Sequence, residues 1–381
     1  MEVLFVTLTG HGHVTPTLAL VEELVRRGHR VDYATGPEHA RAVTAAGAGW
    51  VELPGLPPFR PAGGDVVAAW FRHYFAAMRE VHPVLLDRCR VRRPDVVCYD
   101  ATNWPARLVA RELSIPAVRC VPHLASNESF ALPMPDSLHV IADDCAEFAA
   151  RHGVPLDARG TVDAPEEVNL VFVPREFQPA GETFDGTFHF LGPLLGRRTV
   201  EPWSPKHPDL PLLYVSLGSI LTDPAFHRAC VAAFADGAWQ VALNAPDPGP
   251  VPDTVDARDW FPQPAVLGRA RAFVTHAGMN STMEALHRGV PLVAVPRTPE
   301  QGANADRVQE LGLGVRLHEG DDLRAVVDRV AADPGVRREL DRMRAAIHRA
   351  GGVGRGADLV LAAGRRTAVS PGRAASRDRP A

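Results

Sequence analysis

Short apolar runs alternate with amphipathic segments along most of the chain. Residues 3–8 form a continuous apolar run of the kind that builds a buried strand in a parallel sheet. After a glycine-rich turn, Thr15 and Pro16 are predicted as the N-cap and first residue of a helix that Gly28 ends. Residues 31–35 are the next predicted strand. This strand–helix–strand order predicts an α/β fold with a parallel sheet.

The same alternation continues to the end of the chain. A second apolar run begins at Leu212 and is again followed by a turn of small residues. Further strands are predicted at residues 94–100, 115–121, 240–244, 271–275 and 291–295, and further helices at 66–90, 104–113, 280–287, 304–311, 323–332, 335–350 and 357–366.

The length of 381 residues predicts two domains, because a single core stops growing efficiently below that size. Both are expected to be doubly wound, with the carboxyl ends of their strands facing a central cleft. The predicted parts are a first domain (1–195), a Pro- and Gly-rich linker (196–211), a second domain (212–350), a helix expected to pack back on the first domain (351–367) and a flexible tail (368–381).

Composition narrows the possible functions. The 41 basic and 45 acidic side chains give a net charge of −4, which offers no electrostatic footprint for nucleic acid. No apolar run approaches the ~18 residues of a membrane helix, and the first residues lack the basic stretch of a secretory signal. The five Cys show no paired spacing, which is typical of reduced thiols in a cytoplasmic protein.

The turn after the first strand carries the first candidate site. Gly10 and Gly12 begin a dinucleotide fingerprint, but Thr15 stands where its third glycine belongs, so a nicotinamide site is weakly supported. His13 is placed before a helix and opens onto the cleft, where an imidazole suits general-base work near neutral pH. The alternative for His13, and the favoured one for His11, is a turn residue bonded to backbone.

Asp100 ends the strand predicted at residues 94–100. If that strand neighbours the first, its carboxylate can meet the His13 ring, fix the tautomer and stabilise an imidazolium. The alternative is that Asp100 caps the helix predicted at residues 104–113.

Residues 275–284 give the strongest signal, because a strand runs through a small-residue turn directly into a helix. Helix N-termini present free N–H groups and partial positive charge, which suit a pyrophosphate. Gly278 would allow close approach of phosphate, His276 and Ser281 can donate hydrogen bonds, and Glu284 could accept ribose hydroxyls. The alternative is an ordinary helix with Asn280 or Ser281 as its N-cap.

Five short segments together carry a resemblance to a known family. Residues 276–284, followed by Gly-Val-Pro at 289–291 and Pro-Glu-Gln at 299–301, resemble the nucleotide-sugar signature of family 1 glycosyltransferases. The likeness is greatest to the macrolide and antibiotic glycosyltransferases of actinomycetes. Trp-Phe-Pro-Gln at 260–263 matches the start of that signature, and residues 12–16 match the family's catalytic histidine segment.

The resemblance implies a GT-B architecture, in which two Rossmann-like domains hold the acceptor and the donor respectively. His13 would be the base and Asp100 its partner. Trp260 would stack on the nucleotide base, Glu284 would bind ribose, and Glu300 would contact the sugar. The full set of donor-site residues that it implies is Ser219, Trp260, Phe261, Gln263, His276, Gly278, Asn280, Ser281, Glu284, Glu300 and Gln301.

The implied reaction is inverting transfer of a sugar from a UDP- or TDP-sugar to a small lipophilic natural product. No Asp-x-Asp occurs in the chain, which agrees with a metal-independent mechanism without cofactor. Aromatic residues in one helix, which could instead be core, could line the acceptor pocket: Trp70, Phe71, Tyr74 and Phe75. The alternatives are a nucleotide-sugar epimerase and a non-catalytic helper of a glycosyltransferase. We expect a monomer or a homodimer.

Overall fold

The computed structural model describes residues 1–7, 10–56, 59, 65–133, 136–196, 201–218 and 223–366, with only the backbone described at His11 and Val66. These residues form two parallel β-sheets with helices packed on them. The predicted α/β fold class of two doubly wound domains is therefore confirmed. The predicted tail at 368–381 lies outside the described residues.

The first sheet has seven described strands, all parallel, in the order β3-β2-β1-β4-β5-β6-β7. From β1 to β3 the strands are added toward one edge of the sheet, and from β4 to β7 toward the other. The order of strand addition therefore reverses between β1 and β4. The strands are β1 (Glu2–Val6), β2 (Arg30–Thr35), β3 (Gly49–Glu52), β4 (Val96–Asp100), β5 (Ala117–Val121), β6 (Asn169–Val171) and β7 (Phe188–Phe190).

The second sheet has six described strands, also parallel, in the order β10-β9-β8-β11-β12-β13. Its change of direction falls between β8 and β11, which is where ligands bind in open α/β sheets. The strands are β8 (Leu212–Ser216), β9 (Gln240–Asn244), β10 (Val255–Arg258), β11 (Ala272–Thr275), β12 (Leu292–Ala294) and β13 (Gly314–Arg316).

Helices cover the faces of both sheets. They are α1 (His11–Arg26), α2 (Ala40–Ala45), α3 (Val66–Val91), α4 (Trp104–Glu112), α5 (Ala142–His152), α6 (Pro224–Ala233), α7 (Gln263–Leu267), α8 (Met279–Arg288), α9 (Pro299–Glu310), α10 (Leu323–Ala332), α11 (Pro334–Arg349) and α12 (Gly352–Arg366). Within the described ranges, none of these helices is both long and apolar enough to cross a lipid bilayer.

The start of α1 differs from the prediction. The helix begins at His11 with Gly10 as its N-cap, so Thr15 is not the cap and Pro16 lies inside the helix. The reason is that the amide N–H groups of His13 and Val14 both reach the Gly10 carbonyl, which closes the first turn five residues early. Pro16 has no N–H, so it leaves the carbonyl at residue 12 without its intrahelical donor.

The last helix closes the core of the first domain. Ala357 and Val360 of α12 are fully buried in a cluster that includes Leu20 of α1. The chain arrives there from the second domain, and the Gly352 amide donates to the Leu191 carbonyl at 3.0 Å. The first domain is therefore built from two separate stretches of chain.

Candidate active site

The first part of the site is a histidine–carboxylate pair at the carboxyl edge of the first sheet. β1 pairs directly with β4, so the turn after β1 meets the end of β4. The Nδ1 atom of His13 lies 2.7 Å from Oδ2 of Asp100. Asp100 is only 1% exposed, whereas 30% of the His13 side chain remains open to the cleft. The helix cap considered for Asp100 is instead supplied by Asn103, whose side chain accepts from Ala106.

Hydrogen-bond chemistry fixes the tautomer of His13. An ionised Asp100 can only accept, so Nδ1 carries the proton and Nε2 of the neutral ring holds the free lone pair. Burial lowers the pKa of His13, but the attraction of Asp100, its hydrogen bond and the field of Glu300 raise that pKa above its ordinary value overall. Burial raises the pKa of Asp100, and His13 and Thr102 together bring it below its ordinary value.

A contact between the two domains lies beside this pair. The side-chain amide of Asn280, on α8, donates from Nδ2 to the Gly12 carbonyl at 2.7 Å. That carbonyl is the one that Pro16 leaves without an intrahelical donor. The N-terminus of α8 in the second domain therefore faces the N-terminus of α1, one residue from His13.

The turn that leads into α8 is held by a buried amide. Ala277 has a φ of 62°, in the left-handed region, and its carbonyl accepts from Nδ2 of Asn304 at 3.0 Å. Asn304 lies on α9 and is fully buried. Nothing in the motif pointed to Asn304, because its partner is a backbone atom 27 residues away and only the fold brings the two together.

The first turn of α8 has backbone N–H groups for which the described residues supply no partner. Gly278 is its N-cap, and no side chain in the described part of the protein caps it. Asn280 and Ser281 lie within the first turn, so the alternative that one of them is the N-cap is wrong. The exposed N–H groups and the helix dipole make this end attractive to an anion.

His276 is seated between two glycines at this helix end. A Cβ on Gly218 would lie 2.9 Å from Cε1 of the ring, and a Cβ on Gly278 would overlap Nε2. Burial lowers the pKa of His276, opposed by the Ser216 carbonyl and the field of Glu300. The ring is therefore neutral at pH 7, with one donor and one acceptor nitrogen.

Three of the predicted donor-site residues form one hydrogen-bonded group. Nε2 of Gln263 lies 2.8 Å from Oε2 of Glu284 and 3.2 Å from the Ser281 hydroxyl. Trp260 is nearby in sequence and is 61% exposed, so its ring face is available to a ligand. Phe261 is only 2% exposed and packs in the core, so its side chain has a structural role instead of a binding role.

Glu300 and Gln301 occupy the first turn of α9, which begins five residues before the predicted start because Thr298 caps it. Glu300 is exposed, and its carboxylate raises the pKa of both His13 and His276, so its charge acts on both sides of the cleft. Oε1 of Gln301 accepts from the Arg297 amide at 2.8 Å. Ser219, also predicted for the donor site, lies outside the described residues.

Besides His13 and His276, the cleft holds one histidine that sequence reasoning missed. His123 follows β5, next to the strand that carries Asp100, and its Nδ1 lies 2.8 Å from the Leu124 carbonyl. Burial lowers the pKa of His123, while the field of Glu300 and the Leu124 bond oppose that shift. The only feature of the sequence that could have pointed to His123 is its position two residues after the end of a predicted strand.

The aromatic residues of α3 divide into two kinds. Trp70 is 38% exposed and Phe71 is half-buried, whereas Tyr74 and Phe75 are buried. The Phe75 ring stacks on Trp104 at 5.2 Å, so it belongs to the core. Only the first two can therefore present their rings to a ligand, and Tyr74 acts through its hydroxyl.

A cavity of about 220 Å³ lies between the domains, beside the hydrogen-bonded group of Gln263, Ser281 and Glu284. Its walls come from Pro16 of α1, the segment at residues 193–196, and Asn280, Met283 and Glu284 of α8. In the ranges that the structure covers, no group of three or more His, Cys, Asp or Glu side chains is arranged to hold a metal ion.

Comparison with known proteins agrees with this architecture. A family model described as erythromycin biosynthesis protein CIII-like, C-terminal domain, matches residues 238–350. Demethyllactenocin mycarosyltransferase from Streptomyces fradiae is 37% identical, over 94% of this chain and 86% of its own. Oleandomycin glycosyltransferase from Streptomyces antibioticus is 34% identical, over 93% of this chain and 89% of its own.

A solved structure extends the likeness to the whole fold. The crystal structure of the calicheamicin glycosyltransferase CalG4 superposes with a TM-score of 0.85 at 36% identity, covering 97% of this chain and 99% of that one. Its two-domain arrangement is the GT-B fold. The chain therefore belongs to the macrolide and antibiotic glycosyltransferases.

Proposed function

We propose that the protein transfers a sugar from a UDP- or TDP-sugar to a hydroxyl group of a small lipophilic natural product, with inversion at the anomeric carbon. The relatives named above support glycosyl transfer to this class of acceptor. The observation that carries the mechanism is the bond from Asn280 to the Gly12 carbonyl at 2.7 Å. It brings the N-terminal end of α8 opposite His13, and in the proposed reaction the anomeric carbon would lie between them.

His13 acts as the general base. Nε2 takes the proton of the acceptor hydroxyl, and the oxygen forms a bond to the anomeric carbon as the bond from that carbon to the phosphate oxygen breaks. The electron pair leaves with the nucleoside diphosphate. Asp100, bonded to Nδ1 at 2.7 Å, stabilises the imidazolium that results. Because base and leaving group stand on opposite sides of the carbon, the product has inverted configuration.

The second domain binds the donor and stabilises the departing charge. The free N–H groups of the first turn of α8, with His276 and Ser281, would hold the diphosphate where charge grows in the transition state. Trp260 would stack on the nucleobase, and Glu284, held by Gln263, would accept from ribose hydroxyls. We infer that this helix end supplies the positive potential that a divalent cation supplies in other transferases, so transfer should persist in excess EDTA.

The acceptor would lie along the exposed aromatic face of α3. The Trp70 ring meets Phe59 at 5.2 Å and His73 at 5.9 Å, which gives an apolar wall with one polar edge. Such a wall suits a flat or macrocyclic aglycone, because aromatic rings bury large area at low entropic cost.

The first test separates catalysis from binding. In His13→Ala, transfer from UDP-glucose or TDP-glucose to a panel of polyketide and phenolic acceptors should fall by ~10³-fold or more. Binding of UDP and TDP, measured by calorimetry, should match that of the wild type. Exposed His318, replaced by alanine, is the matched control and should retain full transfer.

Three outcomes would count against the proposal. Loss of nucleotide binding in His13→Ala would make His13 structural. An α-linked product from an α-linked donor, seen in the anomeric coupling constant by NMR, would refute the in-line geometry. Isomerised donor in the absence of any acceptor would favour the epimerase alternative.

A further inference from the structure

A chain of hydrogen bonds runs from the aromatic face of α3 into the catalytic pair. The Tyr74 hydroxyl lies 3.1 Å from both the carbonyl and the hydroxyl oxygen of Thr102. The Thr102 hydroxyl lies 2.6 Å from Oδ1 of Asp100, and the Thr102 amide donates to the same oxygen at 3.0 Å. The other carboxylate oxygen faces His13.

The direction of every bond in this chain is determined. An ionised Asp100 accepts only, so the single hydroxyl proton of Thr102 points to it. The Thr102 oxygen is then an acceptor toward Tyr74, whose own proton points to Thr102. Tyr74 and Asp100 are 6% and 1% exposed and Thr102 is half-buried, so both ends of this chain are shielded from water. Each carboxylate oxygen thus has its own fixed partner.

We propose that Thr102, anchored by Tyr74, is a positioning residue that fixes Asp100 against His13 and sets how strongly the carboxylate holds the imidazolium. This proposal rests on the proposed function, because it assigns Thr102 a part in the work of the base. The Thr102 hydroxyl is bonded to Asp100 and Tyr74, so the proposed effect on His13 passes through Asp100.

The physical effect follows from sharing of the carboxylate charge. Two donors from Thr102 satisfy Oδ1 and spread the negative charge, which leaves less of it for His13. Removing the hydroxyl donor makes Asp100 a stronger acceptor toward His13, so the His13 pKa rises. It also frees the carboxylate to rotate, so the imidazole is held less often in the productive orientation.

The link to Tyr74 connects this pair to the proposed acceptor wall. Trp70 stacks on Tyr74 with ring centroids 6.1 Å apart, and Trp70 is the exposed member of the pair. The side of α3 that would contact the acceptor is therefore tied to the carboxylate of the base through two side chains.

The test measures the His13 pKa by NMR titration of the imidazole in ¹⁵N-labelled full-length protein, with the signal assigned by its loss in His13→Ala. Thr102→Val should raise that pKa and lower kcat for UDP-glucose transfer about five- to tenfold, since one hydrogen bond is lost. Thr102→Ser, which keeps the hydroxyl, should restore both values. Tyr74→Phe should shift the pKa in the same direction by less.

Thr35→Val is the matched control. Thr35 is buried, and its hydroxyl has no partner among the described residues, so its removal should leave the pKa unchanged. A Thr102→Val protein with a lowered Tm and the wild-type pKa would overturn the proposal and leave Thr102 a structural residue. If Thr102→Val does not fold, Tyr74→Phe decides instead, with Thr102→Ser as the variant that keeps the hydroxyl. A raised His13 pKa in Tyr74→Phe supports the proposal, and a wild-type pKa overturns it. The titration needs no transfer activity, so failure of the proposed function would be seen separately, as retained transfer in His13→Ala.

Discussion

Replacing Asp100 with asparagine exchanges one carboxylate oxygen of the His13–Asp100 pair for an NH₂ group and tests the tautomer of His13 directly. The amide can be placed in two ways. With its oxygen toward Thr102, it keeps both bonds that Thr102 donates, at 2.6 and 3.0 Å. With its NH₂ toward Thr102, the Thr102 amide faces a donor and loses a hydrogen bond of about 1 kcal/mol, while the Thr102 hydroxyl has to turn from donor to acceptor.

The first placement is therefore favoured by about 1 kcal/mol or more, and it turns the NH₂ group toward Nδ1 of His13. The ring must then accept at Nδ1 and carry its proton on Nε2, the atom that should receive the acceptor proton. A wrong tautomer in a comparable pair costs ~10⁴ in rate, about 5.5 kcal/mol of barrier. We expect a 10³- to 10⁴-fold loss of kcat in Asp100→Asn.

The pH dependence supplies a second readout. Burial alone lowers the His13 pKa, and Asp100 is the main group that raises it, so the acidic limb of the residual kcat/KM profile should move to lower pH in Asp100→Asn. The same shift acts on stability. A raised histidine pKa stabilises the fold below the unfolded value and loses that contribution as the pH rises through the folded value. The Tm difference between wild type and variant should therefore be larger at pH 5 than at pH 8.

Steady-state transfer, the pH profile and thermal unfolding together check this reasoning. Asp163→Asn is the matched control, because Asp163 is another largely buried carboxylate of the first domain and pairs with Arg119 instead. Asp100→Asn with at least a tenth of wild-type kcat would refute the tautomer argument. An acidic limb that moves to higher pH would refute the assignment of Asp100 as the group that raises the pKa.

Other predictions concern the donor site and the fold. Trp260→Ala should weaken UDP binding by about five- to 150-fold in calorimetry without lowering Tm, because stacking is worth ~1–3 kcal/mol and the ring is 61% exposed; unchanged affinity would place the base elsewhere. Gly278→Ala should displace the His276 ring and weaken diphosphate binding while the circular dichroism spectrum stays unchanged. Asn280→Ala should lower kcat/KM about three- to tenfold through loss of the bond to α1, seen in steady-state assays. Gly314→Ala should lower Tm by several degrees in thermal scans, because its Cβ would overlap the backbone carbonyl of β12.

Much of the fold was predictable because the strands near the centre of each sheet are long apolar runs. β1, β8 and β9 have buried patterns along almost their whole length. The strands that were missed are short and lie toward the edges, such as β6 and β7 with three residues each. Three residues carry too little periodicity to be distinguished from a loop.

The site was predictable where local sequence determines it and not where distant segments meet. The strand–turn–helix at 275–284 indicates an anion site by itself, and His13 and Asp100 stand at strand ends. Tyr74 and Asn304 act through hydrogen bonds to residues 28 and 27 positions away, which only the packing of separate elements brings together. The early start of α1 was missed because a proline usually begins a helix, whereas here the Gly10 carbonyl closes a turn before it.

The return of α12 to the first domain has a consequence for synthesis of the chain. Ala357 and Val360 complete a core whose first members, around Leu20, leave the ribosome more than 300 residues earlier. The half of the protein that carries His13 must wait, with an apolar groove uncovered, until the whole other half has emerged. The core of the first domain is therefore completed last, although its first strands are synthesised first. A nascent chain released before residue 357 would expose that groove to chaperones and proteases.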